Sequence, residues 1–539
     1  MRSKGKSRDF VCHILKKGVK SNIRIHAHNS PTWARSAGIF WRAPGQTVTD
    51  LREGNVIRLV LRDMTGGARE IEWDPITFQV TLRRSELWSK PLYFYLDGGE
   101  LVVSDSLRQI IQVLPKPPEL HAQALEAYLA LEFFPAPLTP FRGIYKVGVE
   151  ETCLLNLSTQ IKKWTTNPLP ERSSTDLDQG VEDVHEALYE VIDKHAQRCP
   201  GEFVLLCSGG LDSTILAHHM RGRGNAIVLS YINSWKDEVQ RARQTAGHAK
   251  LPLQEIRLPA FSTERFSTYA SLLDEPLGGT CGYTTSYLCE AVGSGAWILG
   301  GHGTGTLSLM NFNHKHLRDS LKSGSPQTLV DRFSQHVSYM DREARARLFE
   351  YDSDTSIKDP VKVMLERELP FQKDEFHALQ AVIRRQLCVA EETTQFWPIY
   401  GAFEHTPVMP FFEPRVHMIM DRLPEFILRN ARYERQLLGE LAKRYCPGYV
   451  PQPRQLGYGL PLGLPTYPNE TNMEDTVFAF SRGPLSDKGL AWILESCRIT
   501  KGREKFYWLR RLWAAILLHA WLEQNTGNSP SSGRNRNGI

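Results

Sequence analysis

A mixed α/β protein is predicted from three features of the chain: short turn-separated strands up to about residue 165, strand–helix alternation from about 180 to 260, and a mainly helical remainder. In the first region, VIRLVLRD (56–63), TFQVTLRR (77–84), PLYFYLDGGELVVSD (91–105) and TCLLNL (152–157) are apolar or alternating runs punctuated by Gly, Asp and Pro. Asp97-Gly98-Gly99, between LYFYL and ELVVS, predicts a hairpin. A helical pattern over 119–134 follows a Pro-rich break. Residues 166–178 combine Pro, Ser, Thr and charge without an apolar period and predict a linker between a 1–165 domain and a 179–525 domain. Beyond the linker comes an amphipathic helix, VEDVHEALYEVIDKHAQR. It is followed by the strand FVLLCSGG, the helix LDSTILAHHMRG, the strand AIVLSYIN, the helix EVQRARQTAGHA and the strand LQEIRL. That order predicts a parallel sheet covered by helices. From about 315 onward the pattern is helical and ends in KFYWLRRLWAAILLHAWLEQ, while 526–539 is polar and Gly/Ser/Asn-rich and is expected to be a disordered tail.

Composition removes several functional classes. Lys+Arg total 65 against 60 Asp+Glu, a net +5 spread over 539 residues, which gives no basic patch for nucleic acid. Mean hydropathy is -0.35 and no long apolar run occurs, so no membrane span is expected. The basic start MRSKGKSRDFVCHILKKG lacks the apolar stretch of a secretory signal, and the cytoplasm is the expected location. Nine cysteines, with no CxxC pair among them, read as reduced thiols rather than metal ligands.

Chemistry concentrates in Ser208-Gly209-Gly210-Leu211-Asp212-Ser213, which leaves an apolar strand and opens a helix. Glycine allows positive φ and close backbone approach, and the free N–H groups of a helix start attract an anion. Ser208 and Ser213 add hydroxyl donors. Asp212 is out of place beside an anion unless it holds a metal, and Mg²⁺ bridging carboxylate and phosphate oxygens would account for it. The competing reading is a tight strand–helix turn with an ordinary cap.

The hexapeptide resembles the pyrophosphate loop of ATP pyrophosphatases and is not a Walker A loop. Over roughly 40–525 the chain resembles the asparagine synthetase superfamily. The landmarks, in order, are Lys90-Pro91-Leu92-Tyr93-Phe94-Tyr95 through Ser104-Asp105, then 139–147 (TPFRGIYKV), Lys236-Asp237-Glu238, Asp274-Glu275-Pro276 and 457–462 (GYGLPL). The resemblance implies an N-terminal β-rich, amidotransferase-like domain of the N-terminal-nucleophile type, followed by an ATP-pyrophosphatase sheet with a helical extension. It also implies ATP and Mg²⁺ as cofactors and an AMP-forming carbon–nitrogen ligase.

Departures from the family pattern narrow this reading. Glutamine-dependent members carry a cysteine directly after the initiator Met; here Arg2 stands there, and the first cysteine, Cys12, is expected to be a buried thiol in an early strand. A degenerate first domain is what the resemblance to lasso peptide cyclases, and next to β-lactam synthetases, implies: both adenylate a carboxylate and let an amine of the same substrate close a ring, where tethering replaces a strong external nucleophile. The expected partners are then a precursor (core) peptide and its leader peptidase, with no nucleic acid and no membrane. In the segment Leu299-Gly300-Gly301-His302-Gly303-Thr304-Gly305, His302 falls near the reacting centre of the relatives and Gly305 replaces a metal-binding Asp, so either Asp212 and phosphate oxygens hold the metal with water, or a nearby acid such as Asp274 or Glu275 substitutes. Glu404 falls where β-lactam synthetases place a dyad Glu, so a Glu404–His302 pair is expected to manage the amine proton. Gln455 replaces the loop Lys of the relatives, and Arg454 is the expected stand-in for its charge. Two other outcomes stay open: a ligase acting on a small amino acid or ammonia, and a catalytically weakened scaffold.

Overall fold

The structure is a computed structural model. It describes residues 11–15, 34–36, 39–42, 47–53, 56–62, 68–85, 87–172, 175–230, 238–304, 326–348, 358–428, 435–450, 462, 468–480 and 483–526.

Among the described residues, the β-rich part is a sandwich of two six-stranded sheets whose strand pairs are all antiparallel. One sheet contains β1 (Val11–Leu15), β2 (Ala34–Ser36), β3 (Ile39–Arg42), β8 (Leu92–Asp97), β9 (Glu100–Ser104) and β10 (Ile144–Val147). The other contains β4 (Thr47–Glu53), β5 (Val56–Arg62), β6 (Ala68–Asp74), β7 (Gln79–Arg84), β11 (Glu151–Asn156) and β12 (Lys162–Thr166). Alternation decides what fills the space between them: Ile57, Leu59 and Leu61 of β5 meet Leu92, Phe94, Leu101 and Val103 of the facing sheet. Cys12 lies in this core, fully buried, and burial pushes its thiol pKa far above the ordinary value. The predicted hairpin is present, with Gly98 and Gly99 at φ 55° and 84°. Tyr93 and Val102 point to the opposite face of their sheet, where α1 (Leu107–Val113) and α2 (Ala122–Leu131) join a second, larger core.

From Thr166 the chain runs to α3 (Leu177–Arg198). It is tied to the helical part on the way, where Leu169 N–H donates to Gln372 and the Arg172 guanidinium to the Leu423 carbonyl. The predicted alternation then follows as β13 (Phe203–Leu206), α4 (Leu211–Met220), β14 (Asn225–Ser230), α5 (Glu238–His248) and β15 (Leu253–Arg257). The sheet is extended by two strands that the sequence did not announce: β16 (Trp297–Leu299), which comes after α6 (Thr263–Leu272) and α7 (Cys281–Ala291), and β17 (Thr406–Val408) from within the helical part. The five strands form one all-parallel sheet in the order β15-β14-β13-β16-β17. The chain thus builds outward from β13 to β15, then returns to the other side of β13. That reversal creates a crevice at the carboxyl ends of β13 and β16, the place where open α/β sheets bind ligands. Residues 326–348 and 358–526 are mainly helical where described and end in the helix Gly502–Thr526. The tail expected to be disordered lies outside the described residues apart from Thr526, which closes that helix. Among the described residues no helix is long and apolar enough to cross a membrane.

Two buried histidines give this body an acid limit. His519 Nε2 accepts from Leu485 N–H, so Nδ1 carries the proton donated to the Phe480 carbonyl. His219 Nδ1 donates to the Ile215 carbonyl, leaving Nε2 to accept from His185 Nδ1–H at 3.0 Å. Burial lowers both pKa values to about 4. A folded-state pKa below that of the unfolded chain means stability that is present above pH ~6.5 and lost as pH falls towards ~4. The unfolding free energy from urea titration should therefore fall between pH 7 and pH 5, by about 2 kcal/mol per histidine; a value that stays put would contradict the assigned tautomers.

Candidate active site at the carboxyl ends of β13 and β16

The first half of the site is the turn after β13. Cys207 continues the ladder, its N–H bonded to the Ile227 carbonyl. Gly209 then adopts φ +68°, and a Cβ there would lie 2.5 Å from the backbone carbon and the Cβ of Arg241 on α5. Only glycine lets the turn lie this close to α5. Ser208 Oγ accepts from Gly210 N–H at 3.3 Å and lies 3.3 Å from Ser213 Oγ, and Ser213 Oγ reaches the Gly210 carbonyl at 3.2 Å. No side chain caps α4 after Gly210, so its first amides face the crevice with the positive end of the helix dipole behind them. A Gly209→Ala substitution should cost about 1–3 kcal/mol in backbone strain alone and displace α5; urea unfolding together with titration of Mg·ATP checks both, and unaltered nucleotide affinity would contradict the cradle.

The second half follows β16. Gly301 lies against Asp212, where a Cβ would come within 2.9 Å of the aspartate Cβ. Gly300 N–H bonds the Val408 carbonyl, and a Cβ on Gly300 would meet the Met409 sulfur at 2.8 Å. Gly303, at φ +96°, lies on the Phe412 ring. Three glycines therefore thread His302 between β17 and α4. Its ring centroid is 4.2 Å from that of Phe396, and burial lowers its pKa to about 4. The imidazole is neutral at physiological pH and keeps a lone pair.

Ser208, Gly209, Gly210, Asp212, Ser213 and His302 are thus brought together. Glu404 is not among them. It precedes β17, which runs parallel to β16, and so lies at the opposite end of the sheet from His302. It is exposed at φ 62°, with Oε2 accepting from Ser294 Oγ. The expected Glu404–His302 pair does not form. Arg454, Gln455, the 457–461 stretch, Gly305, Lys236 and Asp237 lie outside the described residues.

The residue that sequence reasoning missed is Arg435, which immediately precedes the helix Gln436–Tyr445. Its Nη1 donates to both carboxylate oxygens of Asp212, at 2.6 and 2.7 Å. A lone arginine in a polar stretch carries no signature; only the packing of that helix on α4 brings it to the site. This pair bears on the metal. Asp212 is already matched by a guanidinium, and among the described residues no group of three acidic, imidazole or thiol side chains could hold an ion. Of the two acids considered as substitutes, Asp274 accepts from Ser106 Oγ at 2.7 Å, and Glu275 is fully buried against Lys146. Among the described residues the donors do not build a metal site of their own.

A parallel sheet with an uncapped, glycine-lined helix start at its switch point defines an α/β protein whose crevice lies where such sheets bind ligands. The asparagine synthase family profile matches residues 183–523, more than half of the chain, and the chain belongs to that family. A Methanocaldococcus jannaschii protein named "Putative asparagine synthetase (glutamine-hydrolyzing) 2" is 25% identical over 219 residues, covering 38% of this chain and 42% of the relative. The alignment thus spans less than half of that relative's length.

Proposed function

We propose that the chain is an ATP-dependent amide-bond-forming ligase, and specifically a lasso peptide cyclase working beside a leader peptidase. An Asp or Glu side-chain carboxylate of a core peptide attacks the α-phosphorus of ATP, and pyrophosphate leaves into the amides of the 208–213 cradle. The peptide's own N-terminal amine then attacks the acyl carbon, AMP departs, and a macrolactam bond forms. His302, neutral and with a lone pair on its ring, takes the amine proton. Arg435 lies beside the cradle and can follow the developing phosphate charge.

The observation that carries the ligase reading is the meeting of the 208–213 and 300–303 turns at the sheet's switch point. The intramolecular form is supported by Cys12, whose buried, high-pKa thiol in the sandwich core is no nucleophile for releasing ammonia from glutamine. The purified protein, incubated with Mg·ATP and candidate core peptides, should release AMP and pyrophosphate and yield a peptide lighter by one water. Release of ADP and phosphate, or an unchanged peptide alongside consumption of a small amino acid, would overturn the respective part of the proposal. The Arg435–Asp212 pair favours a second reading, a nucleotide-binding scaffold without turnover; substrate-dependent ATP–pyrophosphate exchange would exclude it.

A further inference from the structure

Trp88 lies between β7 and β8 of the sandwich, 5% exposed, yet its ring packs outside that sandwich's own core. It stacks on Phe412 at 5.4 Å and 7°, and on Trp397 at 5.6 Å and 27°. Both partners sit directly behind the second half of the site. Gly303 lies on the Phe412 ring, and Phe396, adjacent to Trp397 on the helix Glu391–Ala402, packs on His302. The same helix is gripped a second time. Arg84, 2% exposed, donates from Nη2 to Thr393 Oγ1 at 2.9 Å and holds the segment next to Trp88 through Ser89, at 3.0 Å to its hydroxyl and 2.7 Å to its carbonyl.

We propose that Trp88 is a positioning residue for the His302 turn: by wedging Trp397 and Phe412 it holds the aromatic wall that sets where His302 and Gly303 lie. This gives the sandwich a task once its own thiol is buried: it orients the reacting turn of the neighbouring sheet. Two independent contact paths, through Phe412 to Gly303 and through the Trp397–Phe396 helix to His302, run from one side chain to one turn. The contact can be tested without substrate or nucleotide. Its failure is therefore distinguishable from failure of the ligase reading, on which only its consequence for turnover rests.

The test uses the full chain with ¹³C-labelled histidine, the His302 resonance being assigned by its loss in His302→Gln. In Trp88→Leu and Trp88→Ala that resonance should leave its wild-type position, and amide exchange over 300–304 should rise about tenfold. Trp88→Phe, which keeps a ring for stacking, should restore both. Trp73→Phe, a change in the sandwich core away from this wall, is the control and should leave both at wild type whatever its effect on stability. A His302 signal unmoved in a folded Trp88→Leu protein would overturn the proposal. So would failure of Trp88→Phe to restore the signal, or an equal movement in Trp73→Phe. Trp397→Leu serves if both Trp88 truncations fail to fold: it removes one of the two paths and should move the same resonance, and an unmoved signal there overturns the proposal equally.

Discussion

Asp212→Ala should lower substrate-dependent AMP and pyrophosphate formation by several kcal/mol, about 10²–10³-fold, because its carboxylate would hold the Mg²⁺ that a nucleotide brings, while leaving the protein folded. Alanine keeps the Cβ on which Gly301 packs, so the contact between the two turns survives. The pair that is lost is partly exposed, 22% at the aspartate and 13% at Arg435, so its removal should cost no more than about 1 kcal/mol after solvent screening. Binding should respond in the opposite sense to turnover. Removing the carboxylate takes a negative charge away from the amides of α4 and leaves the Arg435 cation beside them, so ATP or pyrophosphate alone should bind as tightly as before or more so. Tight ground-state binding with lost turnover is the signature of an interaction that matters chiefly in the transition state. Calorimetric titration with pyrophosphate, paired with an AMP assay, separates the two effects. Turnover within about tenfold of wild type would remove Asp212 from the reaction. An Asp212→Ala/Arg435→Ala double variant should restore ordinary anion affinity without restoring turnover.

The parts of this site legible in the sequence are those where one backbone requirement forces one residue type. Gly209 must be glycine because α5 occupies the space of any side chain, and the apolar run before it and the helical pattern after it place it at a strand's carboxyl end. The hairpin of β8 and β9 was legible for the same reason. Glu404 misled because its order along the chain says nothing about which end of a parallel strand it occupies; three residues of β17 separate the two edges. Strands such as β6, AREIEWD, escaped because their outward positions are charged: Glu70 pairs with Arg58 and Arg83 across the sheet, which hides the alternation of Ile71 and Trp73 in a polar segment. Arg435 and Trp88 act through tertiary placement alone, which a local pattern does not encode.

The largest stability effect is expected at Lys146, whose Nζ lies 2.6 Å from Glu275 Oε2 with side-chain exposures of 4% and 0%. Burial lowers the Lys146 pKa and raises that of Glu275, and each charge opposes the shift of the other. Lys146→Met would leave a carboxylate without its counter-ion in a dry site, a loss of about 3–5 kcal/mol. The variant should also gain a pH dependence of its own. A carboxyl whose folded-state pKa lies above the unfolded value binds more protons when folded, so stability falls as pH rises through and beyond the ordinary carboxylate range. The stability that Lys146→Met loses relative to wild type should accordingly be larger at pH 8 than at pH 5, the reverse of the histidine effect, which both proteins share. Adding Glu275→Leu should recover most of the loss, because replacing both charges removes the desolvation that the single variant leaves unopposed. A single variant within about 1 kcal/mol of wild type would show the site to be wetter than its burial implies. The pair also bears on function: it fastens β10 of the sandwich to the segment after α6, beside the Ser106–Asp274 bond, and so keeps the two bodies in contact. A loosened junction should slow turnover before it unfolds the chain, since Trp88 reaches the His302 turn only while that junction is closed.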